Sequence, residues 1–274
     1  GLEEQARRYQ EAQGFAFFRN GTAVPLGVAF VQETTVFREF GPLAGNTMRL
    51  AYEVSPKIGN TLGRQTLDGD VRYYLRLGGS GLLALRARGF RSWGDAPDFT
   101  FFGGNSEMRG YQYLEFIGHN AFFGNAELRF PLIEAMLTPI GVLGGVRGVL
   151  FFNIGGASFN VDGKAVNRSG EPFKVASSAP EVRTPFLGWN IDLENQQLVP
   201  IFGDPIQIEG FRLVDARASY GVGLETFALG FPIHFDWSWR TTFNRAWEDF
   251  LFADQGGSGA FRDVKFSVWI GYDF

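Results

Sequence analysis

From Thr22 onward the side chains change character at every second residue, and few folds are open to a chain built that way. Met48, Leu50, Tyr52 and Val54 alternate with Arg49, Ala51, Glu53 and Ser55. Val71, Tyr73, Leu75 and Leu77 alternate with Asp70, Arg72, Tyr74 and Arg76, and Phe231 to Trp239 alternate with His234, Asp236, Ser238 and Arg240. Successive Cβ atoms of a strand point to opposite faces, so this period predicts strands with one apolar and one polar face. About nine such segments can be read, the last carrying Phe266, Val268, Ile270, Tyr272 and Phe274. Gly14 to Arg19, ahead of the Asn20-Gly21 turn signal, supplies a short tenth. Gly1 to Gln13 is the one helix-like piece, a charged linker or lead-in helix over residues 1–13.

A soluble sandwich alternates too, so the content of the faces decides. Rows of large aromatics stand opposite arginines and carboxylates in nearly every strand, which suits lipid outside and a polar, ion-paired lumen inside. Arg72, Arg76, Arg86, Arg88, Arg129, Arg147 and Arg240 form the expected lumen ladder. Connection lengths agree. Gly41 to Gly45, Gly78 to Gly81, Ile133 to Gly141 and Leu229 to Phe231 fall on one side, and 56–63, 95–119, 158–211 and 244–260 on the other. The fold expected over 14–274 is therefore all-β: a transmembrane antiparallel up-and-down β-barrel of about 10 strands, or the C-terminal part of a larger, 16-stranded type, with 95–119, 158–211 and 244–260 as extracellular loops.

Composition narrows the function classes. With Cys 0, thiolate metal sites and disulfides are excluded. His119 and His234 are too few for a histidine-rich metal site, so no metal or cofactor is expected. A net charge of -4, with no basic cluster, argues against nucleic acid as a partner. His234 and Asp236 share a strand face and could pair in a hydrolase, but lumen residues solvating one another is the simpler reading, and no enzyme activity is expected.

One connection is richer than a turn requires: Phe101 to Tyr111, FFGGNSEMRGY. The pair Gly103 and Gly104, then Met108, Arg109, Gly110 and Tyr111, then the strand NAFFGNAELRFPL, resemble the loop motif and following strand of the bacterial surface antigen family. That superfamily comprises outer-membrane protein assembly factors of the BamA type and two-partner-secretion transporters. VRGVLFFNIGGA, LVDARASYGVGLETF and FSVWIGYDF, the last ending on phenylalanine, resemble three later strands of the family. The resemblance implies a loop folded back into the lumen, with Phe101 and Phe102 in its apolar base and Arg109 at its charged tip. It implies Glu127, on the lumen parity of the next strand, as the arginine's acceptor, with Asn153 standing where the family usually has aspartate.

The function this implies is insertion or export of proteins at the bacterial outer membrane. Expected partners are outer-membrane lipid, unfolded client proteins and periplasmic accessory proteins. The alternative keeps the barrel and drops the client: a passive pore, or an anchor for an exported, propeller-like upstream domain.

Overall fold

The computed structural model describes residues 21–38, 41–78, 80–138, 141–192, 197–228 and 231–271. The lead-in helix, the short tenth strand, Tyr272 and Phe274 lie outside the described residues.

Nine strands form one path of hydrogen-bonded neighbours in chain order: β1 (Leu26–Glu33), β2 (Gly41–Ser55), β3 (Arg64–Leu77), β4 (Gly81–Gly94), β5 (Asn120–Thr138), β6 (Gly141–Val161), β7 (Ala216–Ala228), β8 (Phe231–Thr241) and β9 (Lys265–Ile270). Every ladder along the path is antiparallel. The sheet is not closed, since no ladder joins β9 to β1 among the described residues.

Its two faces are sorted as the alternation requires. On the inner face, Asn125, Glu127 and Arg129 of β5, Asn153 of β6, Ser219 and Glu225 of β7, and His234, Asp236 and Ser238 of β8 are all buried. On the outer face, Leu150, Tyr220, Val222, Leu224, Phe266, Val268 and Ile270 are exposed. Cross-strand partners match: Val222 sits opposite Trp237 and Leu224 opposite Phe235, while Gly223 sits opposite Asp236 and Glu225 opposite His234. A core of carboxylates and arginines under an apolar exterior reverses the usual order of a water-soluble domain.

Most of the inner charges are paired, while Arg217 and Arg240 donate to backbone carbonyls. Arg86 grips Asp70 through two parallel bonds of 3.2 and 2.7 Å, and Arg72 reaches the same carboxylate. Arg88 and Arg49 meet Asp68, Arg129 meets Glu127, and Arg147 meets Glu225. These bonds offset the cost of taking the charges out of water.

The ends of the strands also sort. Leu77 pairs with Gly81, Thr138 with Gly141 and Ala228 with Phe231, so three connections of two or three residues share one rim. Residues 56–63, 95–119, 162–215 and 242–264 make the connections at the other. Three boundaries differ from the sequence reading. GPLAG is no turn but the start of β2, where Gly41 pairs with Arg38 and the positive φ values of Gly41 and Gly45 bend the strand. Pro131, which has no N–H to give, marks a register shift within β5, so the strand continues through Ile133 to Thr138. Ser158 to Val161 belong to β6, not to the insert.

Beyond β6 the insert is ordered. Ala176–Ser177 pair with Arg212–Leu213, Glu181–Arg183 with Ile206–Ile208, and Phe186–Asp192 with Gln197–Phe202, one long hairpin whose register shifts between the second and third ladders and shifts back beside Leu187. The connection from β8 to β9 carries two short helices, α1 (Arg245–Leu251) and α2 (Gly257–Phe261). The Asn244 side chain caps α1 by accepting the Trp247 N–H, and buried Glu248 accepts from the Thr242 N–H and from Arg262.

Candidate functional site

The connection from β4 to β5 turns back against the inner face. Thr100–Phe102 and Phe116–Gly118 form a small ladder at its base. Alternation there sends the two phenylalanines opposite ways: Phe102 is 1% exposed and Phe101 43%, so only Phe102 enters the apolar base. Phe102 packs with Met108, Tyr111 and Phe116 of the loop, Phe123 of β5 and Phe261 of α2. The Phe102 and Phe116 rings stack with centroids 4.7 Å apart.

Two glycines make the reversal possible. Gly103 has φ of +139°, and a Cβ there would lie 2.4 Å from the Gln112 carbonyl oxygen. Gly110 has φ of +87°, and its Cβ would lie 2.9 Å from Ser238 Oγ on β8. Between them Gly104 bridges to Met108, whose N–H donates to the Gly104 carbonyl at 2.8 Å. The Glu107 carboxylate accepts the Gly103 N–H at 2.9 Å and completes the turn. Tyr111 donates its hydroxyl to the Ala218 carbonyl on β7 at 2.9 Å, and burial pushes that hydroxyl above its ordinary range, so it stays a donor.

Arg109, 3% exposed, is the charge this scaffold delivers. Its guanidinium lies 2.6 Å from Glu127 Oε1 on β5 and 3.1 Å from Asp236 Oδ2 on β8, and 4.5 Å from the centre of the Phe151 ring on β6. One side chain thus ties three strands through the interior. Both acids have second partners: Arg129 binds Glu127 Oε2 at 2.9 and 2.7 Å, and the Trp269 indole N–H donates to Asp236 at 2.7 Å. The planar guanidinium can address two carboxylates at once.

Asn153 does not take the role expected of it. Its oxygen accepts from Asn125 at 2.7 Å and its N–H donates to Ser219 Oγ at 3.1 Å, so it stitches β5, β6 and β7. An uncharged amide is a weaker partner for a guanidinium than a carboxylate, and the second anchor is Asp236. Nothing in the spacing of the sequence links position 236 to position 109; the polar parity of β8 was the only signal. His234 and Asp236 face inward together, but not as an isolated pair. His234 stacks on Trp269 at 3.7 Å and donates through Nε2 to the Gly271 carbonyl at 2.8 Å, fastening β9 to β8. On the terminal strand itself, Phe266, Val268 and Ile270 face outward opposite Trp237, Phe235 and Ile233.

No protein-family model matches this chain. No curated protein is significantly similar to it. The site's chemistry therefore rests on its own geometry. It holds no group of three or more potential metal-ligating residues among the described residues. A buried arginine between two carboxylates, each with a further donor, is suited to holding the loop in place, because its charges already satisfy one another.

Proposed function

We propose that this chain is an outer-membrane β-barrel of the protein assembly and translocation superfamily, acting in insertion or export of proteins at the bacterial outer membrane. The observation that carries this reading is Arg109, brought inside the sheet by its loop and held by Glu127 and Asp236. The polar inner face, the exposed apolar outer face and the grouping of long connections at one rim support membrane insertion. That β1 and β9 have no outer partner among the described residues supports a working seam, since free strand edges there would template a client strand by edge pairing.

The test is reconstitution into lipid vesicles with an unfolded outer-membrane client. Wild-type protein is expected to speed client insertion over empty vesicles, and Arg109→Ala to lose much of that gain while still folding. If wild-type vesicles conduct ions in planar bilayers and leave client insertion at the empty-vesicle rate, the protein is a passive pore. With neither conductance nor an effect on the client, it is an anchor for an exported domain.

A further inference from the structure

The outer face of β4, β5 and β6 carries a second feature, away from the Arg109 loop. Ala87 pairs with Gly124 and Leu85 with Ala126, so small side chains floor a groove bounded by Tyr73, Phe152 and Ile154. The groove encloses about 300 Å³ and its lining is almost entirely apolar. Toward the long-connection rim the same strands open into a cavity of about 360 Å³, lined by Arg91, Phe122 and Phe173 with Asn120, Ser158 and Asn160.

The polar groups of that cavity are only partly engaged. Arg91 makes no ion pair among the described residues, its guanidinium lying 5.6 Å from the centre of the Trp93 ring. Asn120 gives its N–H to Ser158 Oγ and Asn160 gives its N–H to the Ser92 carbonyl, leaving both amide oxygens buried with no donor. Buried acceptors left so are costly, and a ligand carrying N–H or O–H donors would relieve them. Arg91 to Leu85 is six residues along β4, about 20 Å. On a strand tilted by roughly 45° that length covers about 15 Å of depth, one leaflet of the hydrocarbon core.

We propose that this surface binds one molecule of an acylated, phosphorylated sugar lipid of the outer leaflet. The phosphate meets Arg91, the sugar's amide and hydroxyl donors meet Asn120 and Asn160, and an acyl chain lies over Ala87, Gly124 and Ala126. The proposal rests on the outer-membrane reading above, with the long connections on the extracellular side.

Native mass spectrometry of the detergent-solubilised protein with added diphosphoryl lipid A tests it, with phosphatidylglycerol as the competing probe. Wild type is expected to retain one lipid A per chain in preference to phosphatidylglycerol. Arg91→Ala and Gly124→Leu should each weaken retention at least tenfold. A Cβ on Gly124 would sit 3.7 Å from the Arg86 carbonyl oxygen and 3.8 Å from Ile154 Cγ2, ordinary contact, so the leucine fills the groove without displacing the strands. Equal retention in both variants, or equal retention of the two lipids, overturns the site. Insertion of the same samples into vesicles separates the two levels of inference. Protein that inserts but holds no lipid A refutes the site alone, and protein that does not insert refutes the membrane reading with it.

Discussion

Replacing Arg109 with alanine should release the loop without unfolding the sheet, and the structure sets the size of the effect. The guanidinium is buried between Glu127 and Asp236. Breaking a buried ion pair by removing one partner costs about 3–5 kcal/mol, because it leaves charge without compensation. Here Glu127 keeps Arg129 and Asp236 keeps the Trp269 N–H, which puts the expectation at the lower end, about 3 kcal/mol. That is roughly a 100-fold shift in the equilibrium between docked and undocked loop. Amide hydrogen exchange reads it directly. The Met108 N–H, bonded to the Gly104 carbonyl, and the Tyr111 N–H, bonded to the Met108 carbonyl, should exchange about 100-fold faster in Arg109→Ala, while β5 amides keep their protection. Arg109→Lys should fall between, since an ammonium keeps the charge and loses the planar fork. Loop amides as protected in Arg109→Ala as in wild type would show that the apolar base around Phe102 holds the loop alone, and the reasoning would fail.

Val222→Arg, on the exposed face between Leu150 and Trp237, should cost about 2–4 kcal/mol in unfolding from vesicles if the position sits at mid-bilayer, and a near-zero cost would contradict a lipid-facing surface. Gly103→Ala should undock the loop where Gly104→Ala is milder, because only the former drives a Cβ into a carbonyl oxygen; equal exchange rates in the two variants would remove Gly103 from the argument. His119 should make loop docking pH-sensitive. Burial holds its pKa below the ordinary 6.5, and Nδ1 accepts the Asn160 N–H, a bond only the neutral ring can make. The undocked chain then takes up the proton more readily, so stability falls as pH drops from 6.5 toward the lowered value. Asn160 amide exchange should accelerate across that window in wild type and stay flat in His119→Gln.

The sheet was legible because its determinants are local: whether a residue faces in or out depends on parity, and parity is visible over five or six residues. Boundaries were less so. Pro131 and GPLAG are breaker signals that the strands absorb by a register shift and by positive φ at glycine, and tertiary pairing, not local chemistry, decides that outcome. In the site, Arg109 and Glu127 could be named together because the family resemblance implies an inward loop arginine with an acidic acceptor, and Glu127 has the inward parity on the strand that follows the loop. Asp236 could not, since its proximity to Arg109 exists only once β8 has taken its place in the sheet. Phe101 was misassigned for want of one fact, the ladder between Thr100–Phe102 and Phe116–Gly118 that fixes its parity. The long hairpin of the insert was hidden by its Pro and Gly interruptions, which read as loop; Pro180, Pro185, Gly203, Pro205 and Gly210 fall between its paired stretches, and Gly188 and Pro200 are absorbed within one.

The strand count carries a directional consequence. Eight successive antiparallel steps lead from β1 to β9, so the two terminal strands point the same way. Were they to meet, their ladder would be a parallel one, with slanted bonds and slightly weaker pairing than the other eight. A single additional strand running the opposite way would instead present antiparallel partners to both edges at once. Among the described residues the two edges are thus polarised alike: a strand with one N-to-C orientation would meet both in antiparallel register, and a reversed one would have to accept the parallel geometry on both of its sides.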